Sequence, residues 1–266
     1  MKRALLLLAV LLLGAFAILA ALAAMRAGLY DVARLSRAVP ARTAVMLERG
    51  AAAARAGRPW RVHQAWVPYD RISPLLRRAV LTAEDDAYYQ HGGLDWNELR
   101  AAARRDLEER RVVRGGSTIT QQLAKNLFLG DARTVTRKLT EVFLALRMER
   151  TLSKRRIFEL YLNLIEWGDG VFGAEAAAQR YFGVSAADLN PRQALLLAAV
   201  IINPHRYSAL APPRRIERRV RMIASRMRRR GALDAAQYAQ ALGLPPPAPP
   251  DPGTAPGDSL SPPVTP

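Results

Sequence analysis

Between Arg3 and Arg26 the chain carries no charged side chain. At about 1.5 Å of rise per residue, an apolar helix of roughly 20 residues crosses a hydrocarbon layer of about 30 Å, so residues 4–25 are predicted to form a membrane-spanning helix. A cleaved export signal is the alternative, because Lys2 and Arg3 form a basic start and Ala21-Leu22-Ala23 has the small-x-small form of a cleavage site. Length favours the anchor, since export signals use apolar runs of about 7–15 residues. Lys2 and Arg3 put residues 1–3 in the cytoplasm by the positive-inside tendency, against the opposing pull of Arg26, Arg34 and Arg37. On either account the rest of the chain is exported.

The exported part is long enough for one catalytic domain with attachments. With no cysteine in 266 residues, disulfides, thiolate metal sites and a cysteine nucleophile are excluded. The formal net charge of +17 calls for an anionic partner: nucleic acid, lipid headgroups or a phosphorylated substrate. Export argues against nucleic acid.

Residues 26–66, with an Ala-rich stretch from Ala51 to Ala56, carry no motif and are expected to be a juxtamembrane helix and connector. The domain is expected over 67–244. Ser73-Pro74 has the form of a helix start, followed by Leu75, Leu76, Ala79, Val80 and Ala83 at helical spacing up to Glu84. Further helices are expected from Trp96 to Arg111, from Thr118 to Leu127, around Val135 to Leu146, over 157–165, 174–181 and 191–202. No alternating strand pattern appears. Residues 214–230 place Ile216, Val220, Ile223 and Met227 on one stripe among many arginines, a basic amphipathic helix suited to anionic headgroups. Almost every second residue of 245–266 is proline, which predicts an extended or disordered tail.

Three clusters carry chemistry. Glu84-Asp85-Asp86 precedes a Tyr-Tyr-Gln-His-Gly-Gly stretch. Taken alone it is a solvated acidic helix end. As a functional group, Glu84 beside two aspartates and partly buried would have a raised pKa, suiting a general base. With three histidines in the chain, His91 is better read as a structural hydrogen-bond partner than as a metal ligand. The second cluster, Gly115 to Asn126, opens a helix with Thr118 and Gln121 spaced as a capping box. Its hydroxyls, amides and Lys125 suit a pyrophosphate at a helix N-terminus, without the spacing of a nucleotide P-loop. In the third, Arg137 and Lys138 stand one turn before Glu141, which should therefore stay ionised. An ordinary intrahelical ion pair explains the same spacing. Two carboxylates with pKa values pushed apart suit an acid/base group beside an electrostatic partner.

Together Glu84-Asp-Asp-Ala-Tyr-Tyr-Gln-His91, Gly115-Gly-Ser-Thr-Ile-Thr-Gln-Gln-Leu-Ala-Lys-Asn126, Arg137-Lys-Leu-Thr-Glu141, Ser153-Lys154 with Glu159-Leu-Tyr-Leu-Asn163, and the run from Gly170 to Gly183 resemble the glycosyltransferase domain of class A penicillin-binding proteins, most of all its monofunctional members. The resemblance implies a mainly α-helical, lysozyme-like fold of two lobes with a cleft between them. It further implies polymerisation of lipid II into β-1,4-linked glycan, with undecaprenyl pyrophosphate released on the periplasmic side of a bacterial inner membrane. Glu84 would be the base and Glu141 the second catalytic carboxylate. The substrate-binding set would be Asp85, His91, Ser117, Thr118, Gln121, Gln122, Lys125, Asn126, Arg133, Arg137 and Lys138. No cofactor is required on this basis, while magnesium or manganese could assist the pyrophosphate. Expected partners are lipid II, the lipid-linked glycan, the membrane and other wall-synthesis or division proteins, with no nucleic acid. Tyr88 replaces a usual phenylalanine, and Thr140 stands where some relatives carry a basic donor contact. The Ser-x-x-Lys and Lys-Thr-Gly signatures of a transpeptidase are absent. A lytic transglycosylase, which cleaves glycan, is the nearest rival, and a basic binding protein the rival from another class.

Overall fold

The computed structural model describes residues 1–109 and 116–246. Arg111, Arg114, Gly115 and the proline-rich tail beyond Pro246 lie outside the described residues.

The apolar run forms helix α1, Lys2–Gly28, whose 27 residues are long and apolar enough to cross a bilayer. Its leucines stand free of the protein, Leu5 to Leu8 being 53–66% exposed. Only its last turns touch the domain: Ala23 and Ala27 are buried, and Arg147 donates to the Ala27 carbonyl and, at 3.3 Å, to that of Tyr30. The Ala27 carbonyl lies in the last turn of α1, where the guanidinium supplies the donor that the ended helix cannot, while the Tyr30 carbonyl beyond the helix also accepts from the Val32 amide at 3.0 Å.

The juxtamembrane segment contains a helix, as expected, and it begins before the Ala-rich stretch. Helix α2, Ala44–Arg55, starts at Thr43, whose hydroxyl accepts from the Met46 amide at 3.2 Å. Its Val45 and Met46 join Phe172, Trp60 and Val62 in a small apolar cluster apart from the main core. The main core gathers α3 (Pro74–Glu84), α5 (Ile119–Ala124), α6 (Val135–Thr151), α7 (Lys154–Leu164), α8 (Ala174–Phe182), α9 (Pro191–Val200), α10 (Arg214–Arg229) and α11 (Ala235–Leu242). Helix α4, Trp96–Glu109, precedes α5.

The all-helical expectation holds for the bulk of the chain, with one addition. Strands β1 (His63–Gln64), β2 (Glu166–Gly168) and β3 (Val171–Phe172) form a small sheet in the order β1-β3-β2, β1 parallel and β2 antiparallel to β3. Strands of two or three residues are too short to show alternation in a sequence. The hairpin needs its glycine at 173: with φ at +87°, a Cβ there would meet the Asn163 carbonyl oxygen at 2.6 Å.

Helix α10 differs from its expected use. Ile216, Val220, Ile223, Ala224 and Met227 are all fully buried against the protein. Its apolar stripe is therefore core, and no apolar face remains to enter a membrane surface.

Candidate active site

Helix α3 presents Glu84 as its last residue, and the backbone then leaves the helical region at Asp85 (φ −162°, ψ 79°). That turn sends three adjacent carboxylates in three directions. Asp85, 3% exposed at its side chain, accepts from the Ile119 amide at 2.9 Å and lies 2.9 Å from His91 Nε2. Asp86 pairs outward with Arg230. Glu84 turns into a cavity of about 770 Å³.

Burial pushes the Glu84 carboxyl above the ordinary glutamate value; Arg219 and Gln122 pull it down, and Asp85 adds the last small push up. The direction matches expectation, and of the two causes expected burial dominates: loss of water far outweighs the push from Asp85, and Asp86 faces away. Gln122 Nε2 donates to Glu84 Oε2 at 3.1 Å, while Arg219 Nη2 donates to Oε1 at 2.6 Å and to the Ala83 carbonyl at 3.0 Å.

The capping box forms as expected. Thr118 Oγ1 accepts from the Gln121 amide at 3.2 Å, and Gln121 Oε1 accepts from the Thr118 amide at 3.0 Å. Thr118 also donates to the Gly93 carbonyl at 2.7 Å. Thr118 and Gln121 are each 2% exposed. Asp85, His91 and Gln121, placed in the substrate-binding set on sequence, are thus engaged in shaping the α3–α5 junction. The Gly93 amide donates to His91 Nδ1 at 3.2 Å, which assigns the ring proton to Nε2, facing Asp85. Asn126 Nδ2 donates to the Gln122 carbonyl at 2.8 Å, yet the residue still borders the cleft.

Beyond Gln122 the cavity continues into a second one of about 550 Å³, the two sharing Gln122, Lys125 and Asn203. Arg49, Arg133 and Arg137 line this second part. Lys125 Nζ donates to Asp131 Oδ1 at 2.8 Å and Arg49 Nη2 to Oδ2 at 2.5 Å. Burial opposes ionisation of Asp131, but Lys125, Arg49 and His205 outweigh it and hold its carboxyl below the usual range. Glu141 sits behind the wall, 3% exposed, its oxygens taken by Arg137 Nη1 at 2.6 Å and by Lys138 Nζ. Lys138 also donates to Ser117 Oγ at 3.0 Å, tying α6 to the start of α5. Arg137 Nε is buried without a partner among the described residues. Thr140 is buried and donates to the Thr136 carbonyl at 2.9 Å, so it does not enter the cleft. The Tyr88 hydroxyl donates to the Lys154 carbonyl at 2.8 Å, which accommodates its departure from phenylalanine.

Sequence reasoning missed Arg49, Asp131, Glu166, His205, Arg206 and Arg219, which all border the cleft or pair within it. One signal was present: Arg219 lies three residues after Ile216 and four before Ile223, on the apolar face of α10, where a charge needs a partner. Glu166, Asp169 and His205 bring one ligand atom each within 4.8 Å of one another at the cleft edge, although Arg49 Nε already approaches Glu166 Oε2 at 3.3 Å.

The cleft therefore joins a buried, proton-hungry carboxylate to a pocket of cations. The Transglycosylase family matches residues 51–228, a span that includes both parts of the cleft apart from Val45 and Arg49. The chain is 47% identical over 188 residues to the biosynthetic peptidoglycan transglycosylase of Laribacter hongkongensis, covering 71% of this chain and 82% of that one. It is 48% identical over 204 residues to the protein of that name from Alcanivorax borkumensis, covering 75% and 82%. A third, from Methylobacillus flagellatus, is 52% identical over 166 residues, covering 62% and 72%. With all but two of its cleft-lining residues inside the matched span and relatives alike over most of their length, the chain belongs to the transglycosylase family.

Proposed function

We propose that the chain is a membrane-anchored peptidoglycan glycosyltransferase that polymerises lipid II into β-1,4-linked glycan and releases undecaprenyl pyrophosphate. The carrying observation is Glu84, a buried carboxylate of raised pKa on the wall of a cleft that runs on to Lys125, Arg133 and Arg137. Such a carboxylate suits removal of a proton from the acceptor hydroxyl. The cations suit the charge that develops on a departing pyrophosphate. Glu141 holds Arg137 and Lys138 in place behind the pocket. Relatives carrying the name biosynthetic peptidoglycan transglycosylase support the same activity here, and α1 supports action at a bilayer. The orientation that fits is a single span with the domain on the periplasmic side of the inner membrane. A divalent cation, where one takes part, has Glu166, Asp169 and His205 as the described group able to hold it.

The test is polymerisation of lipid II by the full-length chain in detergent. Wild type should convert it to glycan, and Glu84→Gln should lose about 10²–10⁴-fold in rate while remaining folded. Full activity in that variant removes Glu84 from the role. Solubilisation of cell walls without consumption of lipid II would instead favour glycan cleavage.

A further inference from the structure

Helix α10 lies after all the motifs that mark the site in the sequence, yet it delivers a cation to the site's central carboxylate. Arg219 and Glu84 are 17% and 11% exposed at their side chains, and Arg219 Nε is buried without a partner among the described residues. Bringing two charges out of water is costly, and well-packed apolar side chains dock helices without that cost. Ile216, Val220 and Ile223 already pack α10 into the core. Docking alone therefore does not account for an arginine on this face.

We propose that Arg219 is the positioning residue of the Glu84 carboxylate, gripping Oε1 while Gln122 grips Oε2 and so fixing the carboxylate plane against the acceptor hydroxyl. The inference rests on the assignment of Glu84 as the base. Each oxygen accepts one hydrogen bond from the protein, which leaves each a further lone-pair site for the hydroxyl. In the step so positioned, the hydroxyl proton passes to Glu84 and the oxygen forms a bond to the anomeric carbon. The bond from that carbon to the pyrophosphate oxygen breaks, and its electron pair leaves with the pyrophosphate. Arg219 also favours the ionised carboxylate against its burial. The other groups facing Glu84 are Asp85 on its own chain segment, Gln122 and Lys125 around α5, Tyr161 on α7, and Arg206 and Arg215 on the cleft wall.

The experiment is the pH dependence of lipid II polymerisation by full-length wild type, Arg219→Met, Arg219→Gln, Arg219→Lys and Glu84→Gln, with thermal melts of each. Removing the cation raises the Glu84 pKa, and a base works only when ionised. The acid limb of kcat in the Met and Gln variants should therefore move up by about 1–3 pH units, with activity recovering at higher pH and KM little changed. Arg219→Lys should restore the limb towards wild type but only part of kcat, since a single ammonium holds the carboxylate plane less firmly. If Arg219→Met does not fold, Arg219→Gln, which keeps a donor for the Ala83 carbonyl, decides. A limb at the wild-type pH in the folded Gln variant, or a loss equal at every pH, overturns the inference. An active Glu84→Gln overturns the base assignment instead, whatever the Arg219 variants do.

Discussion

The hydroxyl of Tyr161 donates to Gln122 Oε1 at 2.9 Å, and this bond decides which end of the amide faces Glu84. Burial and the nearby Glu84 charge push the Tyr161 hydroxyl well above its ordinary pKa, so it stays a donor. Tyr161→Phe frees Gln122 to present its oxygen to the carboxylate. The expected result is a fall in kcat of up to about tenfold, equivalent to roughly 1.4 kcal/mol, with little change in KM. Steady-state polymerisation kinetics check it.

Glu84 should also set the acid limb of the wild-type enzyme. Its folded pKa lies above the ordinary 4.5, so the ionised base is lost at a higher pH than for a solvated glutamate. A profile of kcat/KM against pH should fall on the acid side at a pH above that value and flatten in Glu84→Gln.

Asp131 competes with substrate for Lys125 and Arg49. Asp131→Asn should strengthen inorganic pyrophosphate binding, measured by calorimetry, while lowering Tm, because the Lys125 and Arg49 charges lose the carboxylate between them. The pH sign follows from a depressed folded pKa: the carboxylate's contribution is present above 3.8 and is lost as pH falls through the lower folded value. The gap in Tm between wild type and Asp131→Asn should accordingly close in strong acid.

Gly173→Ala should destabilise the fold by about 1–3 kcal/mol, because a positive φ and a Cβ placed 2.6 Å from the Asn163 carbonyl oxygen act together. Urea unfolding of the detergent-solubilised chain gives the value.

Arg147→Leu should leave the domain folded and loosen α1 from it, since the guanidinium satisfies carbonyls at the end of α1. Faster proteolysis near residues 28–32, with unchanged melting of the domain, is the expected outcome.

Much of the fold was legible because its helices carry local signals. Thr118 with Gln121 announces its capping box in sequence, and Ser73-Pro74 announces the start of α3. The two-residue strands carry no such signal, and neither does the small cluster that Val45 and Met46 build with Phe172, more than 100 residues away in the chain. At the site, Glu84, Gln122, Lys125 and Arg137 come together as their motifs suggest. What sequence could not separate was a residue that lines the cleft from one that shapes its wall: Gln121 and Gln122 are neighbours in the motif, yet one caps a helix and the other holds Glu84. The buried apolar stripe of α10 was misjudged because periodicity shows that a face is apolar, not what covers it.

Helix α6 holds the pocket cations at one end, through Arg137 and Lys138, and the foot of the anchor at the other, through Arg147. Ten residues of α-helix separate Arg137 from Arg147, a stiff rod of about 15 Å. With α1 in a bilayer and the domain extending glycan, as proposed, the rod ties the pocket to the foot of the anchor, and the growing strand rather than the enzyme moves after each addition.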